Sequence, residues 1–351
     1  MSGDGSVRVE RTALAAFCRA LLKAAGATPA NASAVVDHLL EADAMGLRSH
    51  GVMRVPQYLD DIAAGGIDPA ATPTVVGQKA GRSHVDGGKG FGQVAGMAMA
   101  DEAIRLAGDS GVAFVTGRHM GHAGRIGAYA EAMARGGCVG IAVCSGPRSG
   151  HWVAPFGGLD GRLATNPIAY AYPVAGGLPV VADFSTSVVP EGVVRSLKHR
   201  ALPAPDGALR DAIGNPTTDP DALYATPRGA IQPLGGAFGY RGTALGILVD
   251  VLAALLADDE ADDPKREGSN LAMIAIASDD PFAERAARMA GYIRSARPLD
   301  TDRPVMMPGE REQREASGRG QSPILVDGPT WIAMAKKAGG AIRAPKPLPA
   351  A

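Results

Sequence analysis

The sequence is poor in cysteine and carries almost no net charge, and each shortage excludes a class of protein. Its three cysteines, Cys18, Cys138 and Cys144, show neither CxxC spacing nor the even number of a disulfide framework. We therefore expect a reducing compartment, with Cys138 and Cys144 buried as small apolar residues. The 35 Lys+Arg and 36 Asp+Glu residues nearly cancel, which gives no electrostatic reason to expect nucleic acid or a membrane as a partner.

Long apolar runs and a secretory leader are also lacking. No stretch of about 18 uninterrupted apolar residues occurs, so we expect no membrane span. The first ten residues, MSGDGSVRVE, lack the basic-then-apolar pattern of a signal peptide. We expect a cytoplasmic protein. The length of 351 residues and the 46% of hydrophobic residues are typical of a globular chain with about two domains.

Helical periodicity marks both ends of the chain, and apolar strand-like runs lie between them. Residues 8–47 predict two helices, the second capped by Asn31, and residues 111–117, 138–146 and 271–277 predict buried strands. Residues 190–230 are rich in Pro, Gly and Asp, so we expect an ordered loop there with little regular structure.

The order of these elements predicts a mixed α/β fold of the α+β type, with a central sheet and helical N- and C-terminal segments. It lacks the regular βαβ alternation of a doubly wound sheet. The glycines of GGKGFGQ at 87–93 precede a helix, but they follow no convincing strand and lack an acidic partner about 20 residues later. A Rossmann fingerprint is therefore not expected.

The first polar cluster begins where the second helix ends. It contains Ser49, His50, Arg54 and Tyr58. A guanidinium suits a bidentate grip on a carboxylate, and an imidazole can exchange a proton near neutral pH. Ser49 could cap a turn or bind a substrate. The alternative is that the cluster has no catalytic role and is a polar helix–loop junction with surface arginines, which would contain the same residue types.

The second cluster, GRHMGHAGRIGAY, follows the predicted strand 111–117 and holds two imidazoles three residues apart. His122 is the better candidate for an acid/base role, and His119 fits a structural role. The two could also bind zinc as part of a hydrolase site, but no nearby Cys or carboxylate completes the ligand set. We therefore expect no metal.

The third cluster, Asp183 followed by Phe184 and Ser185-Thr186-Ser187, ends an apolar run. A carboxylate at a strand end could fix the tautomer of a histidine and stabilise its cation. If a helix begins there, the hydroxyl and amide groups predict a phosphate cradle; an ordinary helix cap is the alternative.

Taken together, these segments resemble the type-2 malate/L-lactate dehydrogenase family, which includes ureidoglycolate, sulfolactate and Δ1-piperideine-2-carboxylate oxidoreductases. The resemblance covers about residues 10–340. Its carriers, in chain order, are GLRSHGVMRVPQYLDDI, GHAGRIGAYAE, VAPFGG with ATNP, DFSTSV, GNPTTDP, GYRGTAL and MPGERE.

The resemblance implies a non-Rossmann NAD(P)-binding fold, NAD or NADP as cofactor, and a homodimer. We expect residues 1–80 with 305–351 to form a helical substrate and dimerisation domain, and residues 81–304 to form the NAD(P)-binding sheet domain. The implied catalytic residues are His50, His122 and Asp183, with Asp183 orienting either the histidine or the nicotinamide. The implied substrate-binding residues are Ser49, Arg54 and Tyr58. The implied cofactor-binding residues are Ser145, Thr165, Asn166, Ser185, Thr186, Ser187, Arg241, Gly309, Glu310 and Arg311.

The resemblance also implies hydride transfer between the cofactor and a small 2-hydroxy or 2-oxo acid. A reductase of cyclic 2-imino acids could use the same site, and a catalytically silent dinucleotide-binding protein is the alternative from another class. Two departures from the family stand out. Arg241-Gly242 replaces the usual Lys-Gly, and the segment 190–207 is less regular than the family pattern.

Overall fold

Helices and strands account for most of the chain. The structure is a computed structural model and describes residues 6–259, 267–279, 281–320 and 322–349. The helices are α1 (Arg11–Ala24), α2 (Pro29–Ala44), α3 (Val55–Ala63), α4 (Gly92–Ser110), α5 (Gly127–Arg135), α6 (Glu191–His199), α7 (Tyr240–Ala253), α8 (Phe282–Arg294), α9 (Glu310–Arg319) and α10 (Gly328–Lys337). The strands are β1 (Val7–Val9), β2 (Thr74–Lys79), β3 (Arg82–Gly90), β4 (Val112–Met120), β5 (Cys138–Ser145), β6 (Ile168–Tyr172), β7 (Val180–Phe184), β8 (Leu209–Arg210), β9 (Pro216–Thr217), β10 (Ala230–Ile231), β11 (Ser269–Ala277) and β12 (Ile324–Val326).

The central sheet has seven strands in the order β2-β3-β4-β11-β5-β6-β7. Strands β3 and β4 are parallel, and the other neighbours are antiparallel. Strand β11 comes from the C-terminal half of the chain and lies in the middle, with Met273 opposite both Val115 and Ala142. The predicted mixed fold with a central sheet and helical ends is confirmed.

Separate apolar clusters hold the layers together. Helices α4 and α5 cover one face of the sheet, where Met99, Tyr129 and Met133 are fully buried. Helices α1 to α3 and α10 share a second cluster, and the pairing of β1 with β12 ties the two ends of the chain together. A third cluster joins α6 to the small sheet β10-β8-β9. Because α6 packs in this third cluster, its position is set by the small sheet and not by the strands of the main sheet.

Three local predictions are wrong. Residues 191–199 form helix α6, whose Glu191 and Arg195 pair at i,i+4 and whose Val194 is buried. The cap of α2 is Thr28, not Asn31, because Pro29 occupies the first turn and the Asn31 amide donates to distant carbonyl groups instead.

The third correction concerns the glycine-rich segment 87–93, which does follow a strand: β3 runs to Gly90 and α4 begins at Gly92. A Cβ at Gly92 would lie 2.5 Å from the carbonyl oxygen of Gly121 and 2.6 Å from that of His122. This glycine therefore permits helix α4 to pack directly on the backbone that carries His122.

Helix α7 packs on the other face of the sheet, with Val249 and Ala253 fully buried. Together with the turn that follows, Tyr240–Ala257 is long and apolar enough to cross a membrane by length and composition alone, although a third of it is buried within the chain. The core helices of soluble proteins meet the same criterion. Its outer side exposes a stripe of apolar residues: Ile247, Leu248, Val251, Leu255 and Leu256.

A buried carboxyl group fixes the segment that leads from α2 to α3. Asp43, near the end of α2, accepts a hydrogen bond of 2.9 Å from the backbone amide of Val52. Burial raises the pKa of Asp43 from 3.8 to about 7, although the Val52 amide and Arg48 oppose the shift. The segment that carries Ser49 and His50 is therefore anchored by a group that is costly to ionise.

We predict that Asp43→Asn makes the stability of the protein less sensitive to a rise in pH from 5.5 to 8.5. Because the folded-state pKa is raised, the stabilisation is complete below the unfolded value and is lost as pH rises through about 7. An asparagine oxygen can still accept from the Val52 amide. The free energy of unfolding, measured in urea at pH 5.5 and pH 8.5, should fall more steeply in the wild type, by about 2 kcal/mol, because part of the loss has already occurred below pH 5.5. Parallel pH dependence in the two proteins would contradict the prediction.

Candidate active site

The predicted histidines line one cavity of about 390 Å³. Its walls come from the segment between α2 and α3, the turn between β4 and α5, the ends of β5 and β11, and helix α6. A second cavity of about 640 Å³ shares His122, Gln57 and Ser269 with the first. The two therefore form one cleft that is large enough for a small acid together with part of a larger ligand.

A chain of hydrogen bonds fixes His122. The Gln93 amide donates to the Tyr58 oxygen at 2.7 Å, and the Tyr58 hydroxyl lies 2.9 Å from Nδ1 of His122. The backbone amide of Gly124 also donates to this Nδ1, at 3.3 Å. With two donors directed at Nδ1, that atom is the acceptor, and the proton of the neutral ring lies on Nε2.

The second imidazole, His50, stacks on the first with ring centroids 5.9 Å apart, and its Nδ1 lies 3.0 Å from the Ser49 hydroxyl. Desolvation lowers the pKa of His50 to about 3, and the charge of Arg54 adds to the shift. The pKa of His122 is also well below its usual value, for the same two reasons. Both rings are therefore neutral at pH 7 in the ligand-free site.

Arg54 is almost fully buried beside them. Its Nε donates to the carbonyl of Ser49 at 2.7 Å, and its Nη1 donates to Oε1 of Gln57 at 2.7 Å. The described hydrogen bonds leave Nη2 without a protein partner. A side-on grip through Nε is blocked, but an end-on grip through Nη1 and Nη2 remains open to a carboxylate.

The predicted pairing of Asp183 with a histidine is wrong. Its carboxylate accepts a hydrogen bond of 2.8 Å from the backbone amide of Gly127, and no described hydrogen bond joins it to His50 or His122. The Tyr58 hydroxyl takes the place at Nδ1 that the carboxylate was expected to fill. Asp183 instead lines a smaller cavity with Arg125 and Gly309.

The hydroxyl groups after Asp183 do not form a helix terminus. Strand β7 ends at Phe184 and α6 begins only at Glu191, so neither the phosphate cradle nor the helix cap expected there exists. Ser185 and Thr186 both donate to the carbonyl of Thr165, and Ser187 donates to that of Val189. These hydroxyls fasten the segment to the residues before β6.

Among the other predicted cofactor residues, Thr165 and Asn166 line the main cavity. Asn166 is completely buried, its amide donates to the carbonyl of Gly246 at 2.9 Å, and its Oδ1 has no partner among the described residues. Ser145, buried nearby, donates to Asp250 at 2.5 Å. A buried oxygen without a donor at a cavity wall fits a ligand with an amide N–H, and the nicotinamide carboxamide is one.

The remaining predicted cofactor residues lie elsewhere. Arg241 is exposed at the start of α7 and stacks on Phe238, 4.8 Å from the ring centroid. Glu310 pairs with Arg294 at the start of α9, Arg311 pairs with Glu312 at 2.7 Å, and Gly309 lines the cavity of Asp183. Without a ligand, the predicted cofactor residues thus form three separate groups.

His119 and His122 face different surroundings. His119 is exposed and its Nδ1 lies 2.8 Å from the Asp86 carboxylate, whereas His122 contacts Tyr58. Among the described residues, no group of three or more His, Cys, Asp or Glu is arranged to hold a metal ion.

Several residues of the site were not predicted from the sequence. Gln93, which donates to Tyr58 behind the cavity, lies within the glycine-rich segment 87–93, and Cys144 lines the cavity from near the end of β5. Glu191, Arg195 and Trp152 line the cavity from the third apolar cluster. The i,i+4 spacing of Glu191 and Arg195 was the signal for helix α6, but proline and glycine around it obscured the pattern.

Comparison with known proteins gives a consistent result. The family model described as malate/L-lactate dehydrogenase matches residues 9–335. Malate dehydrogenase from Pyrococcus horikoshii is 31% identical over 323 residues, covering 88% of each chain. A Δ1-pyrroline-2-carboxylate/Δ1-piperideine-2-carboxylate reductase from Pseudomonas putida is 32% identical over 322 residues, covering 88% of this chain and 90% of the other. The solved structure of the Pyrococcus horikoshii malate dehydrogenase superposes with a TM-score of 0.85 at 27% identity over 98% of both chains.

The hydrogen-bond chain predicts a specific protonation state. At pH 6 we expect His122 to be neutral with its proton on Nε2, because Tyr58 and Gly124 donate to Nδ1 and desolvation disfavours the cation. Nitrogen-15 NMR of histidine-labelled protein measures this directly, with His122→Asn identifying the resonance. Tyr58→Phe should shift the signal toward a tautomer mixture. A cationic ring at pH 6, or a proton on Nδ1, would refute the assignment.

Proposed function

The chain belongs to the malate/L-lactate dehydrogenase family, and from this membership we propose that it transfers a hydride between NAD(P) and a small 2-hydroxy or 2-oxo acid. One observation carries the proposal. A proton donor (Nε2 of His122), a carboxylate anchor (Arg54) and an unpaired buried acceptor (Asn166) line the same cavity. These three groups match, in the same order, the reacting 2-oxygen of the substrate, the carboxylate of the substrate and the carboxamide of the nicotinamide.

Arg54 is the anchor for the substrate carboxylate. The Ser49 carbonyl and Gln57 hold its guanidinium in place before a ligand arrives, so little conformational freedom is lost on binding. The bound carboxylate also offsets the charge that helps lower the pKa of His122. The imidazole then gains a second proton more readily in the complex than in the free enzyme.

His122 handles the proton of the 2-oxygen. In reduction, its Nε2–H donates to that oxygen and the proton passes to it as negative charge develops. For this the ring first takes up a proton from solvent on Nδ1, where the Tyr58 oxygen accepts from it, so that loss of the Nε2 proton leaves a neutral ring with its proton on Nδ1. In oxidation, the ring starts as this Nδ1–H tautomer, its free Nε2 accepts the proton from the substrate hydroxyl, and the Nδ1 proton returns to solvent. Acid–base catalysis of this kind contributes about 10²–10⁴-fold.

A nicotinamide dinucleotide, when bound, supplies or accepts the hydride at the 2-carbon. Asn166 would hold the carboxamide of the cofactor in the main cavity, with Thr165 beside it. Asp183 and Gly309 would contact the cofactor from the smaller cavity that they line. Asp183 therefore has its proposed role on the cofactor side rather than as the partner of a histidine. Arg241 keeps a cation where the family has lysine, and its stacking on Phe238 holds that cation at the surface.

The proposal is tested with a panel of 2-oxo acids and cyclic 2-imino acids, followed by NADH and NADPH absorbance. We expect turnover in the wild type and a loss of about 10²–10⁴-fold in kcat for His122→Asn. Cofactor affinity should be unchanged, since Asn166 is untouched. Unchanged turnover would exclude His122 as the acid and make His50→Asn the next variant. Cofactor binding without turnover on any compound would favour the silent binding protein. Turnover confined to imines would favour the reductase named for the Pseudomonas putida relative.

We also propose that the protein is a homodimer and that the exposed stripe of α7 lies in the interface. Ile247, Leu248 and Leu255 are each about half exposed on one side of the helix, while its opposite side is fixed to the sheet by Val249 and Ala253. A helix held in this way presents its apolar stripe to another protein surface.

Light scattering after gel filtration should give twice the chain mass of 35.7 kDa. The double variant Ile247→Asp/Leu248→Asp should be monomeric, because two charges would have to be desolvated in the interface. Ile332→Asp, at an exposed apolar residue of α10, is the matched control and should stay dimeric. A monomeric wild type, or a dimeric double variant, would refute the interface.

A further inference from the structure

Helix α6 brings a second guanidinium to the cavity that holds Arg54. Gly192, in its first turn, packs so closely on Arg54 that a Cβ there would lie 2.8 Å from Nη2. Arg195 follows three residues later, so it lies on the same side of the helix, and it also lines the cavity. The two arginines are close enough for Arg195 to lower the pKa of Arg54.

Arg195 is held in place before any ligand binds. Its Nε and Nη2 donate to the two oxygens of Glu191 at 3.0 and 3.1 Å, and the Tyr224 hydroxyl donates to Glu191 at 2.8 Å. Trp152 packs edge-on against Tyr224, with centroids 5.7 Å apart. An i,i+4 ion pair alone contributes little, but here the partly buried Tyr224, packed on Trp152, fixes the Glu191 carboxylate that orients the guanidinium.

The contacts leave one end of Arg195 unused. Nη1 takes no part in the two hydrogen bonds to Glu191, and the side chain, which also lies near the Tyr224 hydroxyl, is about one-third exposed and lines the cavity. Of the residues that line this cavity, Arg54 and Arg195 are cations and Glu191 is the one carboxylate. With both imidazoles neutral, the cavity carries a net charge of about +1 and holds two separate sets of free N–H donors.

We propose that Arg195 selects substrates with a second acidic group, so that the preferred class is a 2-hydroxy dicarboxylic acid rather than a 2-hydroxy monocarboxylic acid. This inference rests on the proposed function. Arg54 binds the carboxylate next to the reacting carbon, and Nη1 of Arg195 binds the distal carboxylate. A monocarboxylate with a methyl group in that position leaves a partly desolvated guanidinium facing an apolar group, which costs binding energy.

Malate and lactate test the inference, because they differ by the distal carboxylate alone and both are stable in solution. With NAD⁺ or NADP⁺, whichever supports turnover, the wild type should show kcat/KM for malate higher than for lactate by on the order of 10²-fold. Arg195→Gln should reduce the malate value to near that of lactate and change the lactate value less than about twofold. Arg195→Lys should retain part of the preference, because it keeps the charge.

Arg200→Gln is the matched control. Arg200 is the exposed arginine at the C-terminal cap of the same helix and does not line the cavity, so its loss should leave both values unchanged. A wild type that prefers lactate, or an Arg195→Gln variant that loses malate and lactate activity equally, would overturn the inference while the proposed function stands. If neither acid nor any 2-oxo acid is turned over, the proposed function fails and the inference falls with it.

Discussion

The line of hydrogen bonds from Gln93 through Tyr58 to His122 is the contact on which the site depends. It joins three parts of the fold: helix α4 on the sheet, helix α3 in the N-terminal cluster, and the turn after β4. The line can close because Gly92 brings α4 against the backbone of residues 121–123. Two apolar clusters that form around different residues are thereby held in a fixed position relative to each other at the His122 ring. Apolar packing brings the three elements together, and the hydrogen bonds between Gln93, Tyr58 and His122 fix the orientation of the His122 ring.

The same layering explains the electrostatics. The charge of Arg125 acts on His38, that of Arg54 acts on His122, and both act on His50, so desolvation and these charges together lower the pKa of each ring. His38 is fully used in structure, since its Nε2 accepts from the backbone amide of Arg125 at 2.9 Å. A site built in this way favours an anionic ligand and keeps its imidazoles neutral at pH 7.

The sequence predicts what is local and repeats, and it misses what depends on distant partners. Periodicity identified the long helices and the buried strands, and the order of elements gave the fold class. The placement of His50, His122 and Arg54 around one cavity follows the motifs that carry the family resemblance. The partner of His122 was not predictable, because a tyrosine 64 residues away occupies the place that a carboxylate was expected to take. Helix α6 was missed because its stability comes from a separate apolar cluster and from Tyr224, neither of which shows in its own nine residues.

The two sides of helix α7 make different contacts. Its inner side supplies the Gly246 carbonyl that holds the amide of Asn166 and the Asp250 carboxylate that receives Ser145. Its outer side is the exposed apolar stripe. Anything that packs on the stripe stiffens the same helix that positions Asn166, and anything that Asn166 binds stiffens the helix that presents the stripe. For the proposed dimer on this stripe and the proposed cofactor contact at Asn166, thermodynamic linkage requires that subunit association and cofactor binding change one another's affinity by the same factor. The enzyme would then be a concentration sensor for its own chain, with the weakest hold on its cofactor when it is most dilute.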